Sequence, residues 1–425
     1  MKNQRAIRRV LSGLVSSTQG QSLESARVAF EALLRERFAP SEVGSYRGRP
    51  VLWVEEAVLA AAGLPPAAPC QLPPGAVAGA WVEEDERGAV SALLAVAGAE
   101  PIADVFTFAG DVDVVYTWVD GHDDAWARRR DEALAGHAGS GLHPTASSEG
   151  RFEDHEELRY SLRSLAAYAP WVRRVFVVTD GQRPQWLAGH PWVTLVDHSE
   201  ILPSGDLPTF NSHAIETALH RIPGLAEHFL YFNDDVLLGR RAQPEDFFTP
   251  TGATRVFPSE QGLEGDLPVV EAARVNAELM TGLTGRTVRQ RYRHTPHAQR
   301  VSVSAELEAR LSEQVALTRS HRFRHPEDLS FASSLALSYA CATGAGVPSP
   351  ADYLYIDVSG GTRELLRLAK ARVARVPLFV CVNQVGEVSP ATHRQLDAFL
   401  RHTWPLSTGL ERAAGLPAAH GEVEA

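Results

Sequence analysis

The sequence predicts an α/β protein built on a largely parallel sheet. Short apolar runs rich in valine and phenylalanine alternate with segments of helical periodicity along most of the chain. Strands that alternate with helices form parallel sheets, because each crossover helix returns the chain to the same edge. Several of the apolar runs end in acidic residues, and ligands bind outside the carboxyl ends of parallel strands. The sequence therefore predicts a site at that edge of the sheet.

Five apolar runs are predicted strands. The β-branched and aromatic content of these runs, bounded by glycine or acidic residues, is typical of buried strands. Three of them end in acid, at Asp120, at Asp180 and at the pair Asp234 and Asp235. The predicted strands cover 112–119, 175–179, 193–196, 229–232 and 376–382.

Helices are predicted where apolar residues recur at intervals of three and four. Leu158, Leu162 and Leu165 show this spacing before Pro170, and Asn211 or Ser212 is suited to cap a following helix. The predicted helices cover 22–38, 156–168, 211–221, 305–316, 329–340 and 392–402.

The 425 residues divide into three predicted regions. With 44% hydrophobic and 22% charged residues, the chain can bury a sizeable core. We expect an accessory region over 1–105, a main α/β domain over 106–410 and a flexible tail over 411–425. A stretch rich in proline, alanine and glycine at 63–79 indicates a linker, and 136–150 indicates a mobile loop.

Composition narrows the function classes. The net charge of -11 disfavours a nucleic-acid binder. The three cysteines lack CxxC spacing, so neither a disulfide framework nor a zinc site is indicated and a reducing compartment fits. No apolar run approaches the length of a membrane span. The basic segment 1–16 predicts a short amphipathic helix touching anionic lipid, or a solvated helix, which we favour.

Two acidic features indicate binding chemistry. Asn233, Asp234 and Asp235 follow an apolar run, and their oxygens suit Mg²⁺ or Mn²⁺ held together with substrate phosphates. The alternative is a polar strand end that opens a turn.

Asp113 interrupts an apolar strand, where a buried carboxylate is costly unless it is paired or bound. Trp118 at the end of that strand either stacks on a sugar or base or belongs to the core.

Histidines and an arginine form a second group of candidate site residues. His294 and His297 in HTPH include a candidate general base, with surface or capping histidines as the alternative. Arg324 in SHRFRH is suited to stabilise a transferring phosphoryl group, with a solvated basic face as the alternative. The segment PTFNSH at a helix start favours an anion or a sugar hydroxyl, or is an ordinary cap. Walker, GxSxG and HExxH motifs are absent from the sequence.

Taken in order, these segments resemble the Stealth family, which includes bacterial capsular-polysaccharide hexose phosphotransferases and the catalytic subunit of animal lysosomal-enzyme N-acetylglucosamine-1-phosphotransferase. The matching words are DVVYTWVDG at 113–121, then ELRYSLRSL, APWVRRVFVVTDGQ, LPTFNSHAIE and FLYFNDDV within 151–252, then HTPH and SHRFRHPED within 294–340, and FVCVNQ at 379–384.

The resemblance implies a Rossmann-like sheet of the glycosyltransferase-A type with helical additions. It implies a divalent Mg²⁺ or Mn²⁺ and a donor that is a UDP-hexose or UDP-N-acetylhexosamine. A hydroxyl of an oligo- or polysaccharide acceptor would attack the β-phosphorus, forming a phosphodiester and releasing UMP in capsule or exopolysaccharide synthesis. The expected location is the cytoplasm, with peripheral contact at the inner face of the membrane as the open alternative.

The resemblance also implies roles for residues that match the family words. The implied catalytic residues are His294 as base, Arg324 for the phosphoryl charge, and Asp235. The implied substrate-binding residues are Asp113, Trp118, Arg159, Asn211 and Asn383, and the implied metal ligands are Asp234, Asp235 and Gln384.

One position departs from the family pattern. Gln384 stands where related proteins typically carry aspartate, so it offers a neutral oxygen in place of a charged one. Either a neighbour compensates, or Asp235 carries most of the metal ligation, or activity is lost. Asp120, where some relatives carry asparagine, adds a charge nearby. Gln384 motivates one alternative to a phosphotransferase, a catalytically silent UDP-sugar-binding protein. The other alternative is a metal-dependent glycosyltransferase, which would use the same donor and metal but cleave the anomeric bond.

Overall fold

The protein divides into two compact units, Met1–Thr107 and Phe108–Ala425. The structure, a computed structural model, describes the backbone of four strands between 43 and 97. It further describes residues 105–136, 156–169, 171–265, 268–374, 376–384, 386, 388–404 and 410–411. The division between the units lies close to the sequence-based boundary at 105.

The first unit contains a four-stranded antiparallel sheet that the sequence analysis missed. Its strands follow chain order, each paired with the next. The third strand begins inside the stretch predicted as a linker, and the helices predicted at 1–16 and 22–38 lie outside the described residues. The strands are β1 (Val43–Tyr46), β2 (Arg49–Glu55), β3 (Val77–Glu84) and β4 (Val90–Ala97).

The second unit is built on a five-stranded sheet in the order β11–β8–β5–β6–β7. Four strands are parallel and β11 pairs antiparallel with β8. This arrangement confirms the predicted α/β class with a largely parallel central sheet. The strands are β5 (Val112–Thr117), β6 (Val175–Thr179), β7 (Val193–Asp197), β8 (His228–Phe232) and β11 (His297–Arg300).

A smaller sheet continues directly from the central one. The strand β9 (Val236–Leu238) begins right after Asp235, so the turn that follows β8 carries the chain from one sheet to the other. β9 pairs antiparallel with β14 (Phe379–Asn383), which pairs parallel with β13 (Tyr353–Asp357). The backbone N–H of Val382 donates to the carbonyl of Asp235 at 2.9 Å. A separate parallel pair joins β10 (Thr254–Val256) to β12 (Gly346–Pro348).

Most predicted helices form, with altered ends. The helix predicted at 305–316 is two helices that meet at Leu311, whose backbone leaves the helical region. The helix predicted at 329–340 starts with a π-helical turn, Phe331–Leu335. The α-helices are Asp124–Ala135, Glu157–Tyr168, His198–Ile201, Ser212–Glu216, Pro268–Thr284, Val301–Arg310, Ser312–Ser320, Ala336–Thr343, Thr362–Ala374 and Pro390–Thr403.

The core lies on both faces of the central sheet because strand side chains alternate. Val114 and Tyr116 pack on one face with the leucines of Glu157–Tyr168, while Val115 packs on the other with Ile215. Burying one such apolar side chain contributes roughly 1.5–3 kcal/mol. Since β5 is buried on both faces, its backbone is a fixed platform for the residues that follow it.

Candidate functional site

A cavity of about 220 Å³ opens at the carboxyl ends of β5 and β8 and the residues that follow β7. This is the edge at which the sequence predicts a site. Its lining combines aromatic rings, carboxylates, hydroxyls and a guanidinium. The lining residues are Thr117, Trp118, Val119, Trp126, His198, Thr209, Phe210, Ser212, Ile215, Glu216, Tyr231, Asn233, Asp234 and Arg324.

Asn211 builds one wall of the cavity. Its Oδ1 caps the helix Ser212–Glu216 by accepting from the N–H of His213 at 3.1 Å. Its Nδ2 donates to the carbonyl of His321 at 3.0 Å and to Asp328 Oδ2 at 2.8 Å. These bonds pin the segment 321–328 against the helix start. Asn211 is buried behind this wall and is not itself among the residues that line the cavity. Its predicted substrate contact stays a prediction.

Arg324 reaches the cavity because the segment around it is pinned in this way. One of its terminal nitrogens donates to Ser212 Oγ at 2.7 Å. Burial lowers the pKa of Arg324, and the negative charges of Glu216 and Asp328 oppose that shift. A guanidinium stays protonated in proteins, so it supplies positive charge to a wall that also carries carboxylates.

Beside the cavity, Asp235 and His294 form a pair. His294 Nε2 lies 3.0 Å from Asp235 Oδ1 and 3.1 Å from Asn233 Nδ2. Burial lowers the pKa of His294, but the charge of Asp235 and its hydrogen bond outweigh burial, so the pKa is raised. The pair therefore makes the imidazole of His294 a stronger base. The sequence analysis named both residues, and the structure brings them together from segments 59 residues apart.

Cys381 joins this pair from β14. Its thiol donates to Asp235 Oδ2 at 3.4 Å, and ligand atoms of Asp235, His294 and Cys381 all lie within 4.8 Å of one another. Burial and the negative charge of Asp235 raise the pKa of Cys381 well above the usual thiol value. Mg²⁺ and Mn²⁺ prefer oxygen ligands, so the carboxylates are the strong donors for such an ion here.

The carboxylates fit a hard divalent ion. Asp234 lines the cavity, and its Oδ1 accepts from the N–H of Asp235 at 3.1 Å. Mg²⁺ is held by one or two carboxylates while phosphate oxygens and water complete the shell. Gln384, the third predicted ligand, lies 3.1 Å from His393 Nε2 through its Oε1 and is turned towards the helix Pro390–Thr403. Among its described contacts, none joins it to Asp235.

Asp113 does not reach the cavity. It is the second residue of β5, at the amino end, roughly 13 Å from Thr117 at about 3.3 Å per residue. Its carboxylate is 0% exposed and accepts from Arg173 Nε at 2.9 Å, from a terminal nitrogen of Arg173 at 2.6 Å and from the N–H of Ala226 at 2.7 Å. The structure places Asp113 as a paired charge in the core, away from this cavity, and its predicted donor-site contact stays a prediction.

Arg159 holds the end of the described chain. Its nitrogens donate to Glu411 Oε2 at 2.6 and 2.9 Å and to Glu156, and Arg163 binds the same Glu411. The Glu411 side chain is 4% exposed, and Leu410 is buried next to it. Arg159 is absent from the cavity lining, and its predicted substrate role stays a prediction. Glu411 also shows that the predicted flexible tail starts too early; residues 412–425 lie outside the described part.

Two other predicted substrate-binding residues, Trp118 and Asn383, lie at the cavity or close to it. Trp118 is 4% exposed, so it belongs to the core and lines the cavity at once. Asn383 follows Val382, which pairs with the backbone of Asp235, and its Nδ2 donates to the Tyr355 hydroxyl at 2.9 Å. Asn383 therefore lies beside the Asp235 turn but outside the cavity lining.

Sequence reasoning missed several cavity residues. His198 follows the acidic end of β7, and Glu216 is a buried carboxylate at the end of the short helix Ser212–Glu216. Neither position carries a local sequence pattern that marks it as part of a site. Trp126 and Tyr231 gave no signal that distinguishes them from core aromatics.

The fold and the cavity define an α/β protein with carboxylate, imidazole and guanidinium groups gathered at the carboxyl edge of its sheet. Three family models match this chain: Stealth protein conserved region 1 over residues 110–138, conserved region 2 over 151–256 and conserved region 3 over 293–340. The chain belongs to the Stealth family.

Named relatives are similar over most of this chain. An exopolysaccharide phosphotransferase of Streptomyces coelicolor is 44% identical over 312 residues, 71% of this chain and 52% of the relative. One from Mycobacterium tuberculosis is 38% identical over 321 residues, 72% of this chain and 58% of the relative. The chain thus spans about half the length of the curated relatives it matches.

A search of solved structures found the apo structure of the bifunctional glycosyltransferase WbbM. It is 9% identical with a TM-score of 0.35, covering 72% of this chain and 53% of that chain, which is too distant to assign a fold. Among the described helices, none combines the length and apolar character needed to cross a membrane.

Proposed function

We propose that this protein transfers a sugar 1-phosphate from a UDP-hexose or UDP-N-acetylhexosamine to a hydroxyl of an oligo- or polysaccharide, in capsule or exopolysaccharide synthesis at the cytoplasmic side. The observation that carries the proposal is the Asp235–His294 pair beside a cavity that Asp234 and Arg324 line. These residues come from two of the matched Stealth regions. The names of the relatives support phosphotransfer.

The proposed reaction exchanges one phosphorus–oxygen bond for another. The acceptor oxygen forms a bond to the β-phosphorus, and the bond from that phosphorus to the bridging oxygen breaks. UMP leaves with the electron pair. The anomeric carbon–oxygen bond is untouched, so the sugar keeps its configuration.

His294 is suited to take the proton from the attacking hydroxyl. His294 Nε2 is bonded to Asp235 Oδ1 at 3.0 Å, so Nδ1 of the neutral ring would receive the proton, and Asp235 stabilises the imidazolium that forms. The raised pKa of His294 reflects the same attraction by Asp235, set against the cost of burial. An aspartate that orients an imidazole and stabilises its charged form is a recurrent arrangement in general-base catalysis.

Arg324 is suited to stabilise the transferring group. Its guanidinium is held against Ser212, so its position is fixed before substrate arrives. Charge placed in advance stabilises a developing anion without reorganisation during the reaction. Asp234 and Asp235 would hold a Mg²⁺ or Mn²⁺, which neutralises the charge of the donor diphosphate when bound.

A catalytically silent UDP-sugar-binding protein is the second candidate. The observation that favours it is the contact of Gln384 with His393, which turns this predicted metal ligand away from Asp235. Such a protein would bind a UDP-sugar and release no UMP.

The test is nucleotide release from a panel of UDP-hexoses with Mg²⁺ or Mn²⁺ and oligosaccharide acceptors. Wild type, His294→Ala and the exposed-residue control His402→Ala are compared. Acceptor-dependent UMP that vanishes only in His294→Ala supports the proposal. Release of UDP instead indicates a glycosyltransferase, and binding without release of either nucleotide indicates the silent protein.

A further inference from the structure

Three polar groups that line the cavity are buried and have no hydrogen-bond partner among the described residues. They are the indole nitrogen of Trp118, both ring nitrogens of His198 and Nε of Arg324. Buried polar groups in native proteins are nearly always hydrogen-bonded, because an unpaired one loses its solvation without compensation. Their concentration on one cavity indicates that a bound molecule or ordered water satisfies them.

The fold holds His198 in this position. His198 follows β7 and begins a single helical turn, His198–Ile201. Asp197 caps that turn by accepting from the N–H of Ser199 at 2.9 Å, and Glu200 accepts from the N–H of Asp197 at 2.8 Å. His198 is 2% exposed. The cap fixes the backbone on both sides of the histidine, so the ring faces the cavity before any ligand binds.

The size of the cavity limits what it can hold. About 220 Å³ corresponds to roughly seven water molecules at about 30 Å³ each. One ring-sized polar group fits this space, and a polymer does not. The occupant is therefore a single unit of the donor or of the acceptor chain.

The chemistry of the lining distinguishes a sugar from a base. Uracil offers one N–H donor besides its carbonyl acceptors, whereas every hydroxyl of a hexose both donates and accepts. The cavity presents the carboxylates of Asp234 and Glu216 as acceptors, the Trp118 indole N–H as an unpaired donor, and the neutral His198 ring as one unpaired donor and one unpaired acceptor. A hydroxyl-rich ring satisfies both kinds of group. The faces of Trp118 and Phe210 supply apolar surface for the ring carbons.

We propose that this cavity is the subsite for the hexose ring of the donor, and that Trp118 Nε1 and His198 hydrogen-bond to its hydroxyls. This inference rests on the proposed UDP-sugar donor. Asp234 belongs to both the cavity and the carboxylate pair beside His294, so the sugar lies next to the phosphate that is transferred. Arg324 keeps its role at the phosphoryl group.

The test measures the affinities of UDP-glucose, UDP-N-acetylglucosamine and UDP, each with Mg²⁺, by titration calorimetry. His198→Phe keeps a ring and removes both nitrogens, and His198→Asn keeps one donor and one acceptor. Thr179→Val is the matched control, because Thr179 Oγ1 is also buried without a partner among the described residues but lies outside the cavity lining. The melting temperature of each variant is measured without ligand.

We expect His198→Phe to weaken binding of a UDP-sugar by about tenfold or more and to leave the affinity for UDP unchanged. His198→Asn should lose less, and Thr179→Val should change neither affinity. Removing an unpaired buried polar group should keep or raise the melting temperature of both His198→Phe and Thr179→Val.

Three results would overturn the inference. An equal loss of affinity for UDP and UDP-sugars assigns His198 to the nucleotide. Unchanged affinities in both His198 variants exclude the cavity as a donor subsite. If wild type binds neither UDP nor a UDP-sugar, the proposed function itself fails, and that outcome is visible before any variant is examined.

Discussion

The buried pair of Asp113 and Arg173 offers the sharpest test of whether a residue of a family motif stabilises the fold or contacts the donor. Two substitutions separate its charges: Arg173→Met removes the cation, and Asp113→Asn removes the anion. The two changes should have unequal effects, because Asp113 is 0% exposed while the Arg173 side chain is 33% exposed. Water can solvate the arginine that remains, but it cannot reach the carboxylate.

The magnitudes follow from this asymmetry. Arg173→Met leaves a buried carboxylate with one remaining bond, from the N–H of Ala226, and removing one partner of a buried pair costs about 3–5 kcal/mol. Asp113→Asn keeps an oxygen for that N–H and leaves Arg173 near Asp111 at 3.7 Å, so about 1–3 kcal/mol is expected. At roughly 2 °C per kcal/mol for a unit of this size, Arg173→Met should lower the melting temperature by about 6–10 °C.

The assay combines thermal unfolding with nucleotide release. Both variants should keep kcat and KM close to wild type at a temperature well below the melting transition, because Asp113 lies at the far end of β5 from the cavity. The double variant should be less destabilised than Arg173→Met alone, since neutralising Asp113 removes the unpaired charge. The reasoning is refuted if Asp113→Asn abolishes turnover or UDP-sugar binding while the melting temperature stays unchanged.

Four further outcomes are expected. Burial raises the pKa of Glu308, but its bonds to two arginines and a histidine outweigh burial and lower the pKa to about 2. The stabilisation by this carboxylate is therefore complete above its ordinary pKa of 4.5 and is lost as pH falls towards 2. In thermal scans, Glu308→Gln should melt below wild type at pH 7, and the difference in melting temperature should narrow between pH 5 and 3. Glu411→Gln should destabilise the protein by at most about 3–5 kcal/mol in denaturant titrations, because two partly buried arginines share this one carboxylate. Cys381→Ser should keep Mg²⁺-dependent UMP release within a few-fold of wild type, since the thiol stays protonated, and abolished release would show that sulfur takes part. Gln384→Asp should leave the Mg²⁺ concentration for half-maximal UMP release unchanged, because the side chain contacts His393; a clear fall would place this position among the ligands.

The sequence predicted the central sheet well because its strands are buried on both faces. The run that forms β6 was predicted to the residue, and the run that forms β8 to within one residue. A continuous apolar run is a strong signal in a parallel sheet. The strand β9 has three residues and β13 is largely half-buried, so neither carries that signal. The strands β3 and β4 of the first unit are rich in alanine, and β3 begins in a stretch of proline, alanine and glycine that resembles a linker by composition.

Candidate residues were placed well where a motif followed a strand. Asp234, Asp235 and Trp118 follow or end strands, and parallel strands bring their carboxyl ends to one edge. The meeting of His294 with Asp235 needed the antiparallel strand β11, which follows His294 directly and pairs with β8. Long-range pairing of this kind is not readable from local pattern; the resemblance to a family supplied the two residues but not their contact. The chemical roles of these residues remain predictions.

A motif shared by a family does not coincide with a binding site, and the motif at 113–121 shows why. DVVYTWVDG is one strand with the residues that follow it, so Asp113 and Trp118 are held in register by the same backbone. Five residues of extended chain separate them by roughly 16 Å, more than the reach of one sugar ring. Only the carboxyl end of the strand can touch a ligand at the sheet edge. The aspartate stabilises the amino end through Arg173, which fixes the platform from which Trp118 reaches the cavity. A motif therefore contains both residues that support the site and residues that form it. The position of a residue along the strand shows to which of these two groups it belongs.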